Sequence, residues 1–255
     1  MLDYLQMPSG MMTFAVPDLP ESDEAEGLEQ GKAVLENVLA IARDGGHAGM
    51  VDLSGLDEAN RGFVNQVLGE GEVSVIAGSR AQAQEAVLAG VWRVRETDET
   101  GTLSRDYIEV GDFPSQILAH AFDGAKDRVP IAGSFGPNIF NAPPLLPEIN
   151  EHIDRAGDAT HVINLSLLPH TPEDLAYLND VLERGVLTIL SRGYGNCRIT
   201  ATATRNVWWV QFYNSQDAMI LNTIEITPVP EVACASSEDI ADSAQRLDEI
   251  LEIYR

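Results

Sequence analysis

Val34, Leu35, Val38, Leu39 and Ala42 fall on one stripe at helical spacing, which predicts a helix over 31–43 ended by Asp44-Gly45-Gly46. An apolar run at 50–53 predicts a short strand. Asp57 can cap a helix over 58–68, with Phe63, Val64, Val67 and Leu68 buried and 69–71 as its stop. Strands are expected at 73–77, 87–96 and 103–110, the last two joined as a hairpin across 97–101. The same order then returns. A helix is predicted over 145–155 and a strand over 161–165. Thr171-Pro172-Glu173-Asp174 is a helix start with a mechanism. The Thr171 hydroxyl accepts a backbone N–H, Pro172 sits where no N–H is needed, and Asp174 reaches back. Leu175, Leu178, Val181 and Leu182 form its buried stripe and Gly185 its end. Strands follow at 187–190, at 199–213 as one long strand or a bent pair, and at 219–226. Ser236-Ser237-Glu238-Asp239 caps a last helix reaching to 254.

The two series correspond in residues as well as in order. Val51-Asp52-Leu53-Ser54 matches Ile163-Asn164-Leu165-Ser166, and Val91-Trp92-Arg93-Val94 matches Val207-Trp208-Trp209-Val210. Leu68 and Gly71 match Leu182 and Gly185, and Ile108-Glu109-Val110 matches Ile224-Glu225-Ile226. The offset drifts only from 112 to 116 residues. Two copies of this length are too few for a solenoid. The expected fold is α+β, with two tandem pseudo-symmetric strand–helix–strand–hairpin repeats plus flanking helices. The chain divides into an acidic, mobile leader (1–30), a first repeat (31–114), a Gly/Pro-rich linker (115–144), a second repeat (145–235) and a C-terminal helix (236–255).

Charge narrows the function. The 255 residues carry 16 Lys plus Arg against 40 Asp plus Glu, a formal net charge of −24. Nucleic acid and anionic membrane surfaces are thereby disfavoured, because both draw affinity from cationic side chains. A basic partner segment would be attracted. No apolar run is long enough for a membrane span and no secretory signal is visible, so a cytoplasmic location is expected. Cys197 and Cys234 make no disulfide framework.

Candidate chemistry is sparse. The five histidines show no His-x-x-x-His spacing, and there is no Cys-x-x-Cys pair, nucleophile elbow, P-loop or dinucleotide fingerprint. No metal site, cofactor or catalytic residue is expected. Cys197 lies in a glycine-bearing turn, where Arg192 and Arg198 would favour a thiolate, or where the glycines only permit the turn. Glu109 and Glu225 occupy matched positions, read as solvent-facing. Alternation along the strands sets Trp92, Val94 and Glu96 on one face, matched by Trp208, Val210 and Phe212. The opposite faces differ: Arg93 and Arg95 stand against Trp209 and Gln211, with Tyr213 beyond. Trp209 is then either part of an exposed aromatic binding patch or covered by the linker or the terminal helix.

The run Ser191-Arg192-Gly193-Tyr194-Gly195-Asn196-Cys197-Arg198, with Asn206-Val207-Trp208-Trp209-Val210-Gln211, Asn214-Ser215-Gln216-Asp217 and Pro230-Glu231-Val232-Ala233-Cys234, resembles the HupH/HyaF hydrogenase expression/formation family. The resemblance covers residues 50–235. It implies a non-enzymatic accessory protein of nickel–iron hydrogenase maturation, a chaperone for the iron–sulfur small-subunit precursor before twin-arginine-dependent export. Trp209, Tyr213, Tyr194, Cys197 and Arg198 are the candidate partner contacts. The alternative is a metal or iron–sulfur cluster carrier using Cys197 and Cys234, although a cluster needs four ligands.

Overall fold

The structure is a computed structural model that describes residues 19–21, 25–45, 49–192 and 195–255. The chain forms two compact units, one built on residues up to Ile117 together with Ala233–Arg255, the other on Leu118–Val232.

In the first unit the elements run α1 (Glu29–Arg43), β1 (Gly49–Asp52), α2 (Glu58–Leu68), β2 (Val73–Ala77), β3 (Ala81–Glu85), β4 (Val91–Thr97), β5 (Leu103–Val110) and the short α3 (Ser115–Ala119). The strands are ordered β1-β5-β4-β3-β2, with antiparallel pairing throughout. The unit also takes in the C-terminal helix Ser237–Glu252, numbered α6 below in chain order, which packs on α1. Leu35, Leu39, Val64, Leu247 and Leu251 from these helices meet Ile108 and Val110 of the sheet in one apolar core. Asp57 caps α2 by accepting the Asn60 N–H, and Asn60 Oδ1 in turn accepts the Gly31 N–H at 2.8 Å, which ties α2 to α1. Leu19, Ala25 and Leu28 pack on the same core, and Pro20 O accepts the Tyr254 hydroxyl at 2.8 Å. Apolar burial thus fixes these parts of the segment read as a mobile leader.

In the second unit α4 (Leu145–Ile153), β6 (His161–Asn164), a 3-10 turn (Leu165–Leu167), α5 (Pro172–Leu182), β7 (Arg184–Ser191), β8 (Asn196–Thr202), β9 (Val207–Tyr213) and β10 (Met219–Ile226) follow in turn. The strand order is β7-β8-β9-β10-β6, again antiparallel. Leu146, Ile149, Leu178 and Leu182 of the helices close on Ile163, Ile224 and Ile226. The Thr171/Asp174 capping box that starts α5 forms as its sequence dictates, and so does the Ser236/Asp239 box of α6.

Trp92 and Trp208 are both fully buried. Each indole N–H finds a carbonyl, Gly111 O at 3.1 Å and Thr227 O at 2.9 Å. A buried Trp needs such a partner. Strand β3 was not expected, because Ala81-Gln82-Ala83-Gln84-Glu85 has no β-branched residue. It forms between β2 and β4, where the Gln84 amide donates to the carbonyls of Gly71, Val73 and Glu85. The stretch 199–213 is a bent pair, β8 and β9. Part of the Gly/Pro-rich 115–144 stretch is held down, since Asp174 Oδ1 accepts the N–H groups of Phe140, Asn141 and Ala142 at 2.8–3.0 Å.

Glu183, just after α5, sits at φ 52° and ψ 168°, a region that side chains other than glycine enter only with strain. Gly69 fills the corresponding place after α2, at φ 59° and ψ −166°. Glu183 is held through an exposed ion pair with Lys126, an interaction worth about 0–1 kcal/mol. Relief of the strain exceeds that loss. Glu183→Gly is expected to stabilise the protein by about 1 kcal/mol in chemical denaturation, after the greater unfolded-state freedom of glycine is counted.

Candidate functional site

The sequence pointed to the β8–β9 hairpin. Its register sets Asn196 opposite Tyr213, Cys197 opposite Phe212, Arg198 opposite Gln211 and Thr200 opposite Trp209. Alternation therefore gathers Arg198, Trp209 and Tyr213 on one face and sends Cys197 to the other. Tyr194 lies outside the described residues.

The exposed aromatic patch is not there. Trp209 is only 8% exposed and Tyr213 1%. Trp209 belongs to the apolar cluster of Leu178, Leu182 and Ile224, and its indole N–H donates to Asn222 Oδ1 at 2.5 Å. Helices α4 and α5 pack on this face together with Val129 and Ala142 of the 115–144 stretch, so the linker and these helices, and not the terminal helix, share the core that takes in the tryptophan. The Tyr213 hydroxyl donates to Gln211 Oε1 at 3.3 Å, and Arg198 is buried beside it in the same face.

Cys197 is buried as well. Burial, reinforced by the Glu225 charge, pushes its thiol up to about 12, the reverse of the thiolate that neighbouring arginines would have favoured. Cys234 is half-buried and belongs to the other unit. His152 and His161 stack at 3.5 Å, and His161 Nε2 lies 2.8 Å from Glu148. Among the described residues, no three His, Cys, Asp or Glu side chains are placed to hold a metal ion.

The matched glutamates do not face solvent. Glu109 is fully buried opposite Trp92, and Glu225 is half-buried opposite Trp208. Burial raises the pKa of both, while Glu109 Oε1 accepts the Ser115 N–H at 2.8 Å. The sequence signal for this was available, since each glutamate is flanked by isoleucine, valine or a second isoleucine in a strand packed on both sides.

The exposed apolar side chains of the second unit lie elsewhere. Val162 of β6, Leu167 and Leu168 just after it, and Ile220 of β10 are open to solvent, Leu167 at 81%. They sit on the outermost strand of that unit's order and its neighbour, held by the Asn222 N–H donating to Ser166 Oγ at 2.9 Å. A run of exposed leucines beside an edge strand is a surface suited to another chain.

The family of HupH hydrogenase expression proteins, by the model of its C-terminal conserved region, matches residues 29–129 and 139–254. The chain belongs to this family. Hydrogenase expression/formation protein HupH of Rhodobacter capsulatus is 45% identical over all of this chain and 92% of its own length. Hydrogenase expression/formation protein HoxQ of Cupriavidus necator is 45% identical over 98% of this chain and 91% of its own. Hydrogenase-1 operon protein HyaF of Escherichia coli is 35% identical over 79% and 72%. Membership ties the chain to hydrogenase maturation. None of the described helices is long and apolar enough to cross a membrane.

Proposed function

We propose that this HupH-family protein is a non-enzymatic accessory protein that holds the immature iron–sulfur small subunit of a nickel–iron hydrogenase in the cytoplasm before export. The observation that carries the reading is the exposure of Leu167 and Leu168 just after the edge strand β6, with Ile220 of the neighbouring β10 also exposed, on a chain of net charge −24 in a family of hydrogenase expression/formation proteins. An apolar contact set on a strongly acidic chain suits a partner segment that is apolar and basically flanked, such as a twin-arginine signal sequence. Two further features fit a duplicated binding body. The two units share one element order, and the two stretches matched by the family description each span one series of strands.

A carrier built on Cys197 and Cys234 is the weaker reading, because a protonated, buried thiol neither binds metal nor exchanges it readily. The test is complementation of a strain lacking the gene. Wild-type protein should restore hydrogenase activity and clear accumulated small-subunit precursor. Leu167→Asp with Ile220→Asp should restore less than about a tenth of it, since hot-spot residues cost about 2 kcal/mol or more. Both side chains are exposed, so the fold tolerates the change. Full restoration by the double variant would rule out this surface.

A further inference from the structure

The helix-bearing face of the first unit carries two cross-strand rows. Ser74, Gln84 and Arg93 lie side by side across β2, β3 and β4, and Ile76, Gln82 and Arg95 form the next row, with Asp106 of β5 completing it. The corresponding rows of the second unit are Thr188, Thr200 and Trp209, then Arg198, Gln211 and Asn222 with Leu190. Each unit thus sets a glutamine beside an arginine on neighbouring strands. In the second unit the pair is Arg198 and Gln211, both buried, and Trp209 fills the space beside it, leaving a cavity of only about 20 Å³. In the first unit Arg93 stands where Trp209 does. It folds onto Asp106, with Nε and Nη2 each 2.6 Å from a carboxylate oxygen. The cleft beside it, between the end of α2 and β2–β4, opens to about 360 Å³.

Guanidinium groups outnumber carboxylates around that cleft. Arg61, Arg93 and Arg95 converge on the single carboxylate of Asp106, and Arg93 takes both of its oxygens. Arg95 reaches Asp106 only at 4.0 Å, and its side chain is 44% exposed. Gln82 and Ile76 are exposed in the same row. Glu70 also lines the cleft, so three guanidinium groups stand against two carboxylates there, a local positive balance on a chain of net charge −24. Arginine presents a planar fork that matches a carboxylate in two-point contact.

We infer that this cleft binds an extended partner segment through one Glu or Asp side chain, the carboxylate on Arg95 and an apolar neighbour against Ile76. A side-chain carboxylate suits the site better than a chain terminus. The donors there are side chains in a cleft between the end of α2 and the sheet, with Arg95 exposed to a side chain that enters it. The inference stands apart from the proposed function, because it names a different surface in the other unit and a different partner chemistry.

The test uses the full-length protein and fluorescence anisotropy of capped heptapeptides carrying an uncharged dye, with a central Glu flanked by Val, Leu and Ser. The Glu pool should bind, and the same pool with central Gln at least about tenfold more weakly, as loss of a charge-assisted hydrogen bond requires. Arg95→Gln should cost a similar factor. Ile76→Glu, which places a competing carboxylate in the cleft, should do the same, and both exposed positions leave the fold intact. Binding should also weaken as salt rises. Equal binding of the Glu and Gln pools, no binding of either, or affinity unchanged in Arg95→Gln would overturn the inference. So would equal binding of a Gln pool whose only carboxylate is its free C-terminus.

Discussion

Gly71→Ala and Gly185→Ala should each destabilise the protein by about 3 kcal/mol or more, the upper range for overpacking against an unyielding neighbour. The two glycines stand at matched places, where the chain leaves a helix and passes directly over a strand. A Cβ on Gly71 would lie 2.1 Å from Ala86 O, and one on Gly185 2.6 Å from Thr202 O. Both obstacles are backbone, and backbone is held at each crossing. Gly71 N–H donates to Glu85 O at 2.7 Å, and Val87 N–H to Leu68 O at 2.9 Å. At the second crossing Ala203 N–H donates to Leu182 O at 3.0 Å. Adding one methyl group must break such a bond or shift a strand. Urea denaturation checks this, with a fall in midpoint at unchanged slope as the expected result. A loss under about 1 kcal/mol at both sites would mean the crossings are looser than described.

Asp174→Ala should cost about 4 kcal/mol. Its Oδ1 accepts three backbone N–H groups from 140–142, and its Oδ2 accepts the Thr171 N–H at 3.1 Å. Hydrogen bonds to a charged group contribute about 1.5–3 kcal/mol each, and buried donors left without acceptors add their desolvation cost. Burial alone would push this carboxyl up. The N–H groups of Ala142, Thr171 and Phe140 outweigh it and bring it down to about 2. Because the folded pKa lies below the ordinary aspartate value of 3.8, the carboxylate's contribution is complete above that value. It is lost as pH falls from there toward about 2. Asp174→Asn keeps one acceptor oxygen for the 140–142 loop, so it should cost less than Ala. Its stability should also fall less steeply than wild type between pH 4 and 2. Parallel acid limbs for the two proteins would contradict this assignment.

Asp174 also shows how far the sequence could be read. Its role at the start of α5 was legible, because a capping box is a local pattern of Thr, Pro and Asp at fixed spacing. Its second role was not, because the loop it holds lies more than thirty residues earlier and carries no complementary signature. Element order followed from periodicity for the same reason that β3 did not. Apolar spacing announces α1, α2 and β9, whereas β3 owes its strand to the partners on either side. At the candidate site, alternation correctly separated the Trp208 and Trp209 faces, but it could not say that helices cover the second of them. Burial of a face depends on what folds back over it, and α4 and α5 do so with Leu146, Ile149, Leu178 and Leu182. The contrast between Arg93 and Trp209 was visible in the aligned halves. Its consequence, an open cleft in one unit and a filled one in the other, required the pairing of Asp106 with Arg93 and of Asn222 with Trp209.

The central claim, that this protein holds an immature hydrogenase small subunit, is tested most directly by anaerobic co-purification of tagged protein from a strain that cannot complete hydrogenase export. The account predicts a stable complex with the small-subunit precursor, diminished when the signal sequence is removed and absent with the mature subunit. Failure to retain the precursor, or equal retention of precursor and mature subunit, would contradict it.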